Sequence, residues 1–279
     1  MAFEEAVFTL VFSFAVFGLW QIWERAGSVG TSFCEDKRNL LADAICLRAS
    51  DWMLFFVLVC VVMLTSIEVS KFLQNVFGKE SPNAIFVYAI CFQCLILLGI
   101  AIFKKLSVNF RFGFKLNAGI LFRTVKYFFS LLLIVMGIGF LMNFLIFQLT
   151  GTFPEKQDII GFFNKAENPY IIGIAVFSFL VLAPIAEELL FRCILYRSLK
   201  GLFLQSINVN YSRVFAAGVS SILFALSHGN VFAIAPLFAF ALILTTLYER
   251  TGSIIATMFC HSGFNLFNVI FIVLVNEYI

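Results

Sequence analysis

A chain of 279 residues that is 62% hydrophobic and 13% charged, with a mean hydropathy of +1.00, lies far outside the roughly half-apolar range of soluble domains and excludes a water-soluble fold. Its net charge of +3 comes from basic residues spread over loops rather than gathered in one patch, which argues against nucleic acid as a partner. Its apolar runs are continuous and long enough for a hydrocarbon core about 30 Å thick, which excludes a β-barrel, whose strands alternate in polarity over about ten residues.

The expected fold class is therefore all-α, a polytopic transmembrane helical bundle, because a helix satisfies its own backbone inside lipid. About eight transmembrane helices are predicted. In chain order they are Ala6 to Trp23, Trp52 to Ile67, Ala84 to Phe103, Tyr127 to Phe147, Ile171 to Leu190, Val214 to His228, Val231 to Leu247, and Ile254 to Val275. The first follows Glu4 and Glu5 instead of a positive n-region and has no small-residue cleavage pattern after it, so it is expected to be a retained helix rather than a signal peptide. Only Gly229 and Asn230 separate the sixth and seventh spans, which predicts either a very tight turn or a helix ending inside the bilayer.

Lys104, Lys105, Arg111, Lys115, Arg123 and Lys126, with no acidic residue among them, place the 104–126 stretch on the cytoplasmic side. Alternation then puts the Arg197 to Arg213 loop inside as well, and the acid-containing Gly151 to Pro169 loop and both termini outside. Cys60, Cys91, Cys94, Cys193 and Cys260 lie in apolar stretches and only Cys34 and Cys46 in a polar loop, so no disulfide framework is expected; the Cys91–Cys94 pair reads as packing. A single membrane domain, 1–279, is expected, with no identified site in residues 1–150.

An ionisable group within an apolar helix costs on the order of 3 kcal/mol, so each one is a functional candidate. In the fifth span Val-Leu-Ala-Pro-Ile-Ala runs into Glu187 and Glu188, followed by Leu-Leu-Phe and Arg192. Successive helical residues point about 100° apart. Glu188 and Arg192, at i and i+4, share a face and can pair, leaving Glu187 as the unpaired carboxylate toward a cavity. Pro184 lacks the N–H that a helix interior needs, and a kink there makes room for water. The competing reading is an ion-pair cluster at the interface with its side chains snorkelling outward.

The chain has two histidines, His228 and His261, and both fall within or at the end of apolar spans. Phe224 precedes His228 by four residues and Asn265 follows His261 by four, so His261 and Asn265 share a helix face. Ser227 and Gly229 flank the first histidine and Ser262 and Gly263 the second, small residues that permit close helix approach or substrate access. A carboxylate, two imidazoles and an amide supply a base for water and donors for an oxyanion. No serine or cysteine has a base at recognisable spacing, so the nucleophile is expected to be water.

These residues resemble three motifs of the CPBP family of intramembrane peptidases, the Abi family, which includes the type II CAAX prenyl endopeptidases (Rce1-like enzymes) and bacteriocin-processing or self-immunity proteins. The motifs are Glu187-Glu188-Leu-Leu-Phe-Arg192, Phe224-Ala-Leu-Ser-His228 and His261-Ser-Gly-Phe-Asn265, in order and in separate apolar segments. The resemblance implies a catalytic core over 171–275. In it Glu187 would activate water with His228 assisting, His261 and Asn265 would stabilise the oxyanion, and Glu188 and Arg192 would support them. It also implies hydrolysis of a peptide bond in a membrane-associated, prenylated CAAX-type or leader-peptide substrate. Peptide or lipidated protein and membrane lipid are the expected partners.

Glu187, His228 and His261 are admissible zinc ligands, yet the HExxH signature is absent and the resemblance favours a glutamate mechanism with no metal and no other cofactor. A multi-pass protein of a bacterial plasma membrane is expected. The alternatives are a non-catalytic scaffold or self-immunity protein of the same fold, and a transporter that relays protons through the same groups.

Overall fold

The computed structural model describes residues 44–78, 81–107, 112–152 and 169–277, and among these the regular elements are all helical. Seven helices are long and apolar enough to cross a membrane, and they fall on seven of the eight predicted spans. The first predicted span, Ala6 to Trp23, lies outside the described residues, as does most of the Gly151 to Pro169 loop. The chain is an integral membrane protein.

Helix α1, Ala49–Phe77, starts where the Asp51 carboxylate accepts the Arg48 backbone N–H at 2.9 Å and its Nε at 3.2 Å, and stops at Gly78 with φ 94°. Helix α2, Pro82–Leu106, has its proline in the first turn, where no N–H is required, and Lys104 and Lys105 in the last, where cations complement the helix dipole. Helix α3, Ala118–Thr150, is capped by Asn117, whose side-chain oxygen accepts the Ile120 N–H at 2.9 Å.

The fifth predicted span is the start of a longer helix, α4, residues 169–203. It contains two wide π-helical segments, Ser178–Leu182 and Leu189–Tyr196, on either side of the ordinary turns Ala183–Glu188. The expected loop from Arg197 to Arg213 is therefore corrected: Arg197–Phe203 completes α4, and Val209–Ser227 forms α5. Hydropathy ends the span too early because Arg197 and Lys200 are buried inside the protein rather than exposed in a loop.

After α5 the chain turns at Gly229, φ 67°, and the Asn230 side chain accepts the N–H groups of Phe232 and Ala233 at 3.0 and 3.3 Å. A short 3-10 turn, Val231–Ala233, leads into α6, Ile234–Thr251. The connection is a very tight turn. Helix α7, Ile254–Glu277, follows Gly252.

Helices α1 and α2 pair as a hairpin, α5 packs on α6, and α3 lies across both α6 and α7. Helix α4 touches α2, α5, α6 and α7, and 44% of its apolar window is buried against 11%, 6% and 11% for α1, α2 and α3. It is the shared wall of the bundle. Gly263 lets α7 approach α3, since a methyl there would sit 3.0 Å from the Phe128 ring.

Two non-helical pieces close one end. Residues 112–117 wedge against the α6–α7 turn: Ile254 N–H donates to Gly113 O at 3.2 Å and the Ser253 hydroxyl donates to Lys115 O. Residues 44–48 cross the end of α4, where Ile45 N–H donates to Arg197 O at 3.0 Å. Here Cys46 is disulfide-bonded; the sequence reading expected no disulfide framework, and this bond involves a cysteine outside the apolar spans.

Candidate functional site

The middle turns of α4 carry Glu187 and Glu188 between the two wide segments. Glu188 and Arg192 form the i, i+4 pair, with Oε1 and Nη1 3.1 Å apart and side chains 0% and 1% exposed. Both charges are enclosed by protein, so snorkelling to an interface does not describe them. The Arg192 guanidinium lies 4.6 Å from the centre of the Phe224 ring. This cation–π contact takes part of the role that water would have around a buried cation.

Helix α7 brings His261 to the same carboxylates. Its Nδ1 is 2.9 Å from Glu188 Oε1, the oxygen that also faces Arg192, and its Nε2 is 3.9 Å from Glu187 Oε2. The carboxylate accepts from Nδ1, and the opposite edge of the ring, Nε2, faces Glu187. The Glu187 side chain is 24% exposed, and its Oε2 has no hydrogen-bond partner among the described residues. One carboxylate is thus locked by a cation and an imidazole, and its neighbour, part-exposed, keeps a buried oxygen with no hydrogen-bond partner among the described residues.

Phe224 sits at the centre of the aromatic packing around these groups. It is 1% exposed and its ring meets Phe191 at 5.1 Å, Phe240 at 5.8 Å and His261 at 6.2 Å between centroids. Phe240 packs edge-on to His261 at 4.9 Å and touches Phe264 at the same distance. Each such pair adds about 0.5–1.5 kcal/mol beyond area burial and fixes the imidazole plane. Phe240 is the site neighbour that the sequence reading missed. Among 38 phenylalanines nothing in its local pattern distinguishes it.

His228 stands at the end of α5. Its Nδ1–H donates to Phe224 O at 2.8 Å and its ring packs on Phe224 at 4.7 Å, leaving Nε2 at the exposed rim. It joins the others through Phe224 and makes no ion pair with Glu187 within 4.0 Å. Asn265, 6% exposed, shares a face with His261 but reaches a different group: its Nδ2 donates to the backbone carbonyl of Phe179 in α4 at 2.9 Å. The structure thus joins Glu187, Glu188, Arg192 and His261, places His228 at the rim, and ties Asn265 to the α4 backbone. No three His, Cys, Asp or Glu side chains among the described residues are grouped to hold a metal ion.

Residues 169–267 match the family described as type II CAAX prenyl endopeptidase Rce1-like. This region of the chain is similar to the Rce1-like family. The match begins with α4 and runs just past Asn265, so it takes in every residue of the three motifs and leaves out α1 to α3. The chain is also similar to the UPF0177 protein YxdF of Lactococcus lactis subsp. lactis, with 31% identity over 112 residues that make up 40% of this chain and 53% of that protein. The chain thus spans about half the length of that curated relative. No solved structure matches.

Proposed function

We propose that the Rce1-like region makes this chain an integral membrane endopeptidase of the CPBP type, which hydrolyses a peptide bond with water activated by Glu187. One observation carries the reading: Glu187 Oε2 has no hydrogen-bond partner among the described residues and lies 3.9 Å from His261 Nε2, while Glu188 and Arg192 hold the other side of that imidazole. Two hydrogen bonds of about 2.8 Å can share one water molecule at the apex across such a gap. Glu187 takes a proton from that water as its oxygen adds to the scissile carbonyl, and returns the proton to the leaving nitrogen as the C–N bond breaks. A tetrahedral oxyanion needs N–H donors aimed at it; with Nδ1–H turned to Glu188 in His261 and to Phe224 O in His228, each imidazole offers a donor at Nε2 only when it is protonated.

The proposal includes no metal, since the zinc-protease signature HExxH is absent from the sequence. The substrate is a membrane-associated peptide segment: the family description suggests the prenylated CAAX kind, and the resemblance to the CPBP family also admits a leader peptide. The bacterial source of the curated relative supports a bacterial plasma membrane. The test is cleavage of a membrane-embedded peptide by purified protein in detergent or liposomes. Glu187→Gln abolishes turnover and leaves the unfolding midpoint unchanged; cleavage that survives the substitution overturns the mechanism, and wild-type protein that cleaves nothing favours a scaffold of the same fold.

A further inference from the structure

Within the wide segment Ser178–Leu182, Ala183 N–H donates to Ser178 O, one residue further back than in an α-helix. In that register the next donor, at position 184, would serve Phe179 O. Position 184 is proline and has no N–H. The Phe179 carbonyl is therefore stripped of its helical partner, inside a membrane bundle where such a group is costly. Asn265 fills the gap from α7, with Nδ2 at 2.9 Å from Phe179 O. The same wide turn is tied on another side by the Ser178 hydroxyl, which donates to Gln93 Oε1 of α2 at 2.8 Å.

Glu187 lies three residues after Pro184, and His261 lies one turn before Asn265. The bond from Asn265 to Phe179 thus joins the two helices that bring the Glu187 carboxylate and the imidazole within 3.9 Å. We infer that Asn265 is a positioning residue: it replaces the hydrogen bond that Pro184 removes and so sets the distance between Glu187 and His261. This rests on the proposed peptidase reading for its effect on turnover, but not for its effect on stability.

The two origins of an Asn265 effect separate in a cycle with Pro184→Ala, which restores an N–H where the carbonyl of Phe179 can use it. Four full-length proteins are purified in detergent: wild type, Asn265→Ala, Pro184→Ala and the double variant. Asn265→Ala lowers the unfolding midpoint, and below that midpoint lowers kcat on the order of 100-fold, the scale of a small misplacement of reacting groups, with KM unchanged. In the Pro184→Ala background the same substitution costs little stability, because the new N–H serves the Phe179 carbonyl, while kcat stays low, because nothing then ties α7 to α4 at that point. A double variant as unstable as Asn265→Ala, or one with wild-type kcat, overturns the inference.

Should Pro184→Ala fail to fold, Asn265→Asp decides. It keeps the shape but brings an acceptor to an acceptor, so its midpoint falls at least as far as that of Asn265→Ala. An unchanged midpoint with lost cleavage assigns the amide to the oxyanion instead and overturns the inference. If wild type cleaves nothing, the unfolding arms still decide the hydrogen bond while the peptidase reading alone fails.

Discussion

Arg192 and Phe224 show how one buried charge holds a site in place. Arg192 faces Glu188 at 3.1 Å and the Phe224 ring at 4.6 Å, and it is 1% exposed. Its removal leaves Glu188 enclosed without its cation, with His261 and Thr257 beside it, and breaking a buried pair from one side costs about 3–5 kcal/mol. Arg192→Leu is therefore expected to lower the free energy of unfolding by about 3 kcal/mol, measured by chemical denaturation in mixed micelles. Phe224→Ala acts through a different cause, the cavity and the exposed guanidinium, and is expected to cost about 3 kcal/mol and to free the His228 ring that rests on it. Nuclear magnetic resonance of the imidazole protons reports that release. Both side chains stand out in the sequence, since an arginine in an apolar run and a phenylalanine one turn before a histidine are local patterns. Their contact is not, because it joins positions 192 and 224 of different helices.

The elements repeat this division between local and distant causes. Hydropathy marks α1 to α7 because lipid-facing surface is read residue by residue, and Pro184 announces an interruption of α4. The two wide segments escape the sequence, since their geometry depends on bonds arriving from other helices, such as Asn265 to Phe179. The end of α4 escapes for a similar reason: Lys200 reads as a loop residue until Glu249 is brought to it from α6. The α5–α6 turn is half legible, because Gly229 and Asn230 mark a turn but do not settle whether a helix ends mid-membrane. Gly229 adopts φ 67°, in the left-handed region, where a side chain costs roughly 1–2 kcal/mol. Gly229→Ala is thus expected to lower stability by about 1 kcal/mol and to reorient His228 beside it. Cleavage per folded molecule should then fall further than the loss of folded protein explains, a comparison made by scaling turnover to the folded fraction.

The whole molecule holds a second buried charge cluster, far from the first. Lys200 is 0% exposed and its Nζ lies 2.8 Å from both oxygens of Glu249; the Tyr196 hydroxyl donates to the same carboxylate at 2.8 Å, and Arg213 Nε approaches it at 2.8 Å. Lys200 follows Glu188 by 12 residues of α4, eight of them in the wide segment Leu189–Tyr196. This cluster joins the ends of α4, α5 and α6 beneath the 44–48 strap, where the backbone of Ile45 lies so close that a methyl on Gly201 would meet its oxygen at 2.2 Å. Glu249 is thus the anion on which this end of the bundle is assembled. Glu249→Leu leaves the Lys200 ammonium buried without its counter-ion and is expected to cost about 3 kcal/mol or more. Arg213→Leu costs much less, because that side chain is 35% exposed and can turn to water. Adding Lys200→Met to Glu249→Leu recovers most of the loss, since two well-packed apolar side chains often equal a buried ion pair. Thermal unfolding of the three variants in detergent ranks them. Turnover per folded molecule stays at the wild-type level in each, because the Glu187–His261 gap is set by Asn265 and Glu188, not by this end of α4; a fall in kcat in the folded fraction would mean that the two clusters are coupled along the helix.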